Sequence, residues 1–134
     1  MKNLKVIIVD DSETYRENLK NILVHEYECE VIAEASNGDE FLNTTKPYLA
    51  DIIFMDLCMP NINGWEATKK FSFEYPYSKV IAVTMFSNQA YLQQLVEVGF
   101  KGCILKNEVM NHLKQAIKTV MSGKFYFPKN LSLD

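Results

Sequence analysis

Asp51-Ile-Ile-Phe-Met-Asp-Leu-Cys-Met-Pro-Asn-Ile-Asn-Gly64 is the stretch on which the reading of the chain turns. Ile52 to Met55 form a short, uninterrupted apolar run, as expected of a strand buried on both faces. The run stops at a carboxylate, Asp56. A loop with Pro60 and Gly64 follows, and a helical pattern starts at Trp65. A carboxylate at the carboxyl end of a buried parallel strand sits where open α/β sheets hold their ligands.

Outward from that stretch the same unit recurs. Leu4–Val9 reads as a first strand and runs into Asp10-Asp11; Tyr15, Leu19, Ile22 and Leu23 then share a helical face, capped by Ser12 or Asp11. Glu30–Ala35 is a second strand, followed by the turn Ser36-Asn37-Gly38 and a short helix with Phe41, Leu42 and Thr45 inward. Trp65, Thr68 and Phe71 form the inward stripe of the third helix, which leaves Phe73 outside it. Val80–Val83 is a fourth strand ending at Thr84. A helix carrying Leu92, Leu95 and Val96 stops at Gly99, which suits a left-handed C-terminal cap. Gly102–Leu105 is a fifth strand ending at Lys106. The last helix presents Val109, Leu113, Ala116, Ile117 and Val120 and ends at Gly123. Lys124 to Asp134 has no stripe and reads as a linker or terminal extension. Five strand–helix units with connections too long for hairpins predict an α/β fold, a doubly wound parallel sheet covered on both faces.

The totals narrow the function classes. A chain of 134 residues, 48% hydrophobic and 23% charged, is long enough for one domain with its own core. A formal charge of −3 argues against a domain that binds nucleic acid over its whole surface. No apolar run has the length of a membrane helix, and Val6–Val9 is too short for a signal peptide. Cys29, Cys58 and Cys103 are widely spaced and odd in number, which favours reduced thiols and a cytoplasmic location.

In a parallel sheet all strand ends of one kind share an edge, so Asp10, Asp11, Asp56, Thr84 and Lys106 should converge. Two carboxylates ~4 Å apart repel by about 4 kcal/mol at an effective dielectric near 20. Three therefore call for a cation, and an all-oxygen donor set suits Mg²⁺. A phosphoryl group is the natural substrate: Asp56 as nucleophile, with Thr84 and Lys106 contacting the transferring oxygens. Neither of the glycine-rich nucleotide motifs is present, so the phosphoryl donor is expected to be another molecule, a phosphorylated protein above all. Taken singly, the residues have ordinary explanations. Asp10 and Asp11 could cap the first helix, Lys106 could be a solvated charge, and His25 and His112, with no partners at metal-ligand spacing, read as surface groups. Trp65 reads as helix packing, and Cys58 as a thiol lining the site.

At these positions the chain resembles the receiver domain of two-component response regulators. The acidic pair after strand one, D-L-x-M-P-x-x-N/D-G from Asp56 to Gly64, Thr84, and G-x-x-x-K from Gly102 to Lys106 carry the resemblance. It extends from Leu4 to about Ser122, which makes residues 1–122 the receiver domain and 123–134 a tail. It implies a flavodoxin-like (βα)5 fold with strand order 2-1-3-4-5. It also implies Asp56 as phosphoacceptor, Thr84 and Lys106 as phosphate contacts, and Mg²⁺ held by Asp10, Asp11 and Asp56 with the backbone carbonyl of Cys58. The implied partners are a sensor histidine kinase or phosphotransfer protein and a second copy of the chain on phosphorylation. G-W-E-A-T-K-K, V-I-A-V-T-M-F and the ending A-I-K-T-V-M-S-G-K-F-Y-F resemble the NarL/FixJ (LuxR-type) regulators. DNA binding would then belong to an output domain of a longer parent protein. Cys103 stands where the family usually has an aromatic residue, and a thiol cannot swing a ring inward. Phe86 and Cys58 are expected to shield the phosphoryl group from water. Two rivals differ in class: a haloacid dehalogenase-like phosphatase, whose D-x-D motif would need an acid at Ser12, and a pseudo-receiver that only binds proteins.

Overall fold

The computed structural model describes residues 3–59, 63–85 and 89–127. Five strands, β1 (Lys5–Val9), β2 (Glu30–Ala35), β3 (Ile52–Asp56), β4 (Val80–Thr84) and β5 (Gly102–Leu105), alternate with five helices. These are α1 (Glu13–Tyr27), α2 (Gly38–Thr44), α3 (Gly64–Glu74), α4 (Gln89–Val98) and α5 (Val109–Met121). Pairing is parallel throughout, in the order β2-β1-β3-β4-β5. That order is the flavodoxin-like, doubly wound one, with its switch point between β1 and β3.

The two-residue period of a strand divides the core. Ile7, Val9, Ile53, Met55 and Ala82 face one cluster with Phe41, Phe71, Leu92 and Leu95. Val6, Ile8, Ile52, Phe54, Ile81 and Val83 face the other, with Leu19, Leu23, Leu113 and Ile117. The inner strands β3 and β4 are buried at every position, as a sheet covered on both faces requires. Phe73, off the α3 stripe, is 91% exposed. Cys29 is buried just before β2, and Cys103 is buried in the cluster on the α2–α4 side.

Two sets of contacts go beyond the sequence reading. The segment from Lys124 does not leave the domain at once. Tyr126 bridges Gly102 in parallel; its N–H donates to the Lys101 carbonyl (3.0 Å) and its carbonyl accepts from the Cys103 N–H (2.9 Å). Gly123, at φ +88°, turns the chain back toward β5. Tyr126 then packs on the α1/α5 cluster and Phe127 on the opposite one. His112 joins this segment to α5: its Nδ1 and the Tyr126 hydroxyl share a hydrogen bond of 2.6 Å, and its Nε2 lies 3.7 Å from Glu108. Tyr126→Phe should therefore lower the unfolding free energy by about 1 kcal/mol, the net value of one hydrogen bond, as read from urea denaturation.

A carboxylate rim at the strand ends

The rim is built by where each strand stops. β1 delivers Asp10 and Asp11, β3 ends on Asp56, β4 ends on Thr84, and β5 is followed directly by Lys106. Parallel register brings them level: Val9 lies beside Met55, Asp56 beside Val83, and Thr84 beside Leu105. Asp10, Asp11 and Asp56 each offer a carboxylate oxygen, and these atoms all lie within 4.8 Å of one another. Asp10 is 2% exposed, Asp56 6% and Thr84 3%, whereas Asp11 faces outward.

Lys106 reaches into the group: its ammonium is 2.7 Å from Asp10 Oδ2 and 3.6 Å from Asp56 Oδ2. Burial acts to lower the Lys106 pKa, but the Asp10 hydrogen bond and the two carboxylate charges outweigh it, and the net direction is upward. Asp56 moves the other way from most carboxylates. Burial first, then the Asp10 charge, push it up to about 6 against the pull of Lys106 and of the Cys58 N–H, which donates to Asp56 Oδ1 (3.3 Å). Three acids and one ammonium leave a formal charge of −2, the deficit that a divalent cation cancels. An all-oxygen acidic pocket of this kind fits a hard metal ion.

The choice left open for the α1 cap falls to Ser12, whose Oγ accepts the Tyr15 N–H at 3.2 Å while Asp11 stays with the rim. Ser12 thus serves the helix at the position where a D-x-D phosphatase motif would need its second acid. Asn63 caps α3 in the same way, accepting from the Glu66 N–H at 3.0 Å. Trp65 packs edge-on against Phe100, as a helix-packing residue should, and also borders an open cleft beside Asp11 and the exposed Cys58. The water-shielding role expected of Phe86 and the loop carrying Pro60 fall outside the described residues.

Two residues with roles at the rim were read in the sequence only as part of a helix, or not at all. Tyr15 donates from its hydroxyl to the Lys106 carbonyl (3.3 Å), and the Lys106 ammonium lies 4.7 Å from the centre of its ring. Burial, and then the Asp10 and Asp56 charges, push the Tyr15 phenol upward, so it stays protonated. Arg16 donates from Nη1 to the Asp10 carbonyl and pairs through Nε with Glu34 (3.3 Å), pinning the end of β1 to β2. No sequence motif announces either contact.

No helix of the described residues is long and apolar enough to cross a membrane. The family model for the response regulator receiver domain matches residues 6–118. The transcriptional regulatory protein DegU of Brevibacillus brevis is 33% identical over 123 residues, covering 92% of this chain and 52% of that protein. LnrK of Bacillus subtilis, also a transcriptional regulatory protein, is 36% identical over 129 residues, covering 96% and 59%. This chain thus spans little more than half the length of these relatives. A LuxR-family two-component response regulator from Aurantimonas sp. superposes with a TM-score of 0.89 at 25% identity, covering 97% of this chain and 93% of that one. RcsB, solved as two dimers bound to two parallel DNAs, gives a TM-score of 0.84 at 25% identity, covering 97% and 66%. With the strand order, the acidic rim and the match over residues 6–118 in agreement, this chain belongs to the receiver domains of two-component response regulators, alongside those of the LuxR/DegU type.

Proposed function

We propose that the domain takes a phosphoryl group onto Asp56 from a phosphohistidine of a sensor histidine kinase or phosphotransfer protein. The observation that carries this reading is the group of three carboxylates within 4.8 Å, two of them already paired to Lys106. An Asp56 oxygen attacks phosphorus; the P–N bond breaks as the P–O bond forms, and the bonding pair leaves with the imidazole, which keeps or gains a proton. The Thr84 hydroxyl donates to one transferred oxygen and the Lys106 ammonium neutralises another. Asp10, Asp11 and Asp56, with the backbone carbonyl of Cys58, would hold Mg²⁺. When bound, the ion supplies positive charge to the transferring oxygens. The chain's own chemistry is limited to this self-phosphorylation and a slow reversal by water.

The phosphoryl group adds about 1.5–2 negative charges beside Thr84. Thr84 moves toward them, and the face made by α4, β5 and α5 carries the change to a second copy of the chain or to an output domain. DNA binding and transcription control belong to such an output domain in a longer parent protein, acting in the cytoplasm. The expected result with acetyl phosphate and Mg²⁺ is a mass gain of one phosphoryl group that maps to Asp56 and is lost when EDTA replaces the metal. A chain that gains no phosphoryl group under these conditions is a protein-binding pseudo-receiver, and the proposal ends there.

A further inference from the structure

Lysine carries its charge on a long flexible stem, so a catalytic ammonium needs something to hold it. Here Asp10 and Asp56 attract it from the front, 2.7 Å and 3.6 Å away. They are also the groups whose charge changes when metal and phosphoryl arrive, so they cannot be its only anchor. Tyr15 grips the same residue from behind at two points. Its ring lies 4.7 Å from the ammonium, and its hydroxyl donates to the Lys106 backbone carbonyl at 3.3 Å. Neither contact depends on a carboxylate. The Ser12 cap fixes the start of α1 through the Tyr15 N–H, so the ring is held at its own backbone as well.

We propose that Tyr15 is a positioning residue for phosphoryl transfer: its ring face and hydroxyl hold Lys106 at the distance from which the ammonium meets the transferring oxygens. The proposal rests on the reading of Lys106 as a phosphoryl contact. A purely structural account competes with it, since Tyr15 also borders a small groove of about 130 Å³ with Leu19, Ile22, Val109 and Met110. A leucine or methionine satisfies that account, because either fills the groove; neither offers a π face to the ammonium.

The experiment follows acetyl phosphate labelling in Mg²⁺ for the parent, Tyr15→Leu, Tyr15→Met and Tyr15→Phe, each also in a Lys106→Ala background. The apolar replacements should slow the maximal labelling rate by about five- to tenfold. Tyr15→Phe, which restores the ring, should recover it to within about twofold. In the Lys106→Ala background the same replacements should change the rate by less than about twofold, because their target is gone. A metal-free readout accompanies the kinetics. The Lys106 Cε proton resonance, shifted upfield by the ring in the parent and in Tyr15→Phe, should return toward its free-lysine position in Tyr15→Leu and Tyr15→Met. Labelling at the parent rate in both apolar variants, or an equal loss with and without Lys106, overturns the role of Tyr15. A Lys106→Ala protein that labels like the parent overturns the underlying reading of Lys106 instead.

Discussion

Asp56→Asn should take no phosphoryl group and, without metal, should be more stable than the parent. The first half follows from chemistry: an amide is no nucleophile toward phosphorus at neutral pH. The second half follows from linkage. The folded protein raises the Asp56 pKa to about 6, so it holds that proton more tightly than the unfolded chain does. Below the unfolded value, near 4, the contribution to stability is fully present. It falls as pH rises through the window from about 4 to about 6, and above that the ionised carboxylate is a standing cost. Two pK units correspond to about 3 kcal/mol as an upper bound. Asparagine keeps the shape and removes the charge, so it should recover about 1–3 kcal/mol at pH 7.5 in urea denaturation without metal, and little at pH 4. Adding Mg²⁺ should narrow the gap, since a ligand of the folded state stabilises the parent more than a variant with one acid fewer. A variant less stable than the parent at pH 7.5 would mean that Lys106 outweighs the repulsion among the acids.

That frustration was legible in the sequence because it is a property of strand ends. Apolar runs of four to six residues marked the strands, and the polar residue closing four of the five runs marked the rim. Parallel connectivity alone then brought Asp10, Asp56, Thr84 and Lys106 to one edge. What stayed hidden has no local period. Tyr15 and Lys106 are 91 positions apart, and the Tyr15 pattern fits an ordinary inward helix face equally well. Arg16 lies off the apolar stripe of the first helix and belongs to no motif, yet it ties β1 to β2. The turn to Tyr126 was lost for a different reason. A single bridged residue buries too little to interrupt a polar–aromatic tail with a recognisable alternation, and its partner is a backbone edge, which carries no side-chain signature. The sequence likewise left Asp11 and Ser12 as equal caps, because both residue types accept from a first-turn N–H. Only the position of the sheet edge assigns one to the helix and the other to the rim.

The second large effect is expected at Gly64, the first residue of α3 and the last of the stretch around Asp56. Helix propensity favours alanine over glycine by up to about 1 kcal/mol, so Gly64→Ala ought to be stabilising if propensity decided the matter. Space decides instead. A Cβ on Gly64 would lie 2.0 Å from the Asp56 carbonyl oxygen, 2.9 Å from its carbonyl carbon and 3.0 Å from Leu57 Cα. All three are backbone atoms of the segment that carries Asp56, and none can rotate away as a flexible side chain would. The Gly64 N–H also donates to the Leu57 carbonyl (3.2 Å), so α3 cannot back off without giving up that bond. Overpacking of this kind costs about 1–3 kcal/mol, more than propensity returns. The strain also falls on the residue whose carboxylate must be aimed. A misplacement of about 1 Å is enough to slow a positioned reaction by about a hundredfold. Gly64→Ala should therefore lose about 2 kcal/mol in urea denaturation and at least about tenfold in labelling rate with acetyl phosphate. Gly123→Ala is the informative control. It faces left-handed strain at φ +88°, but nothing lies within 4 Å of its Cβ, so it should lose some stability and keep the parent labelling rate. If both alanines lose stability but label alike, the close approach of α3 to Asp56 has no part in aiming the carboxylate.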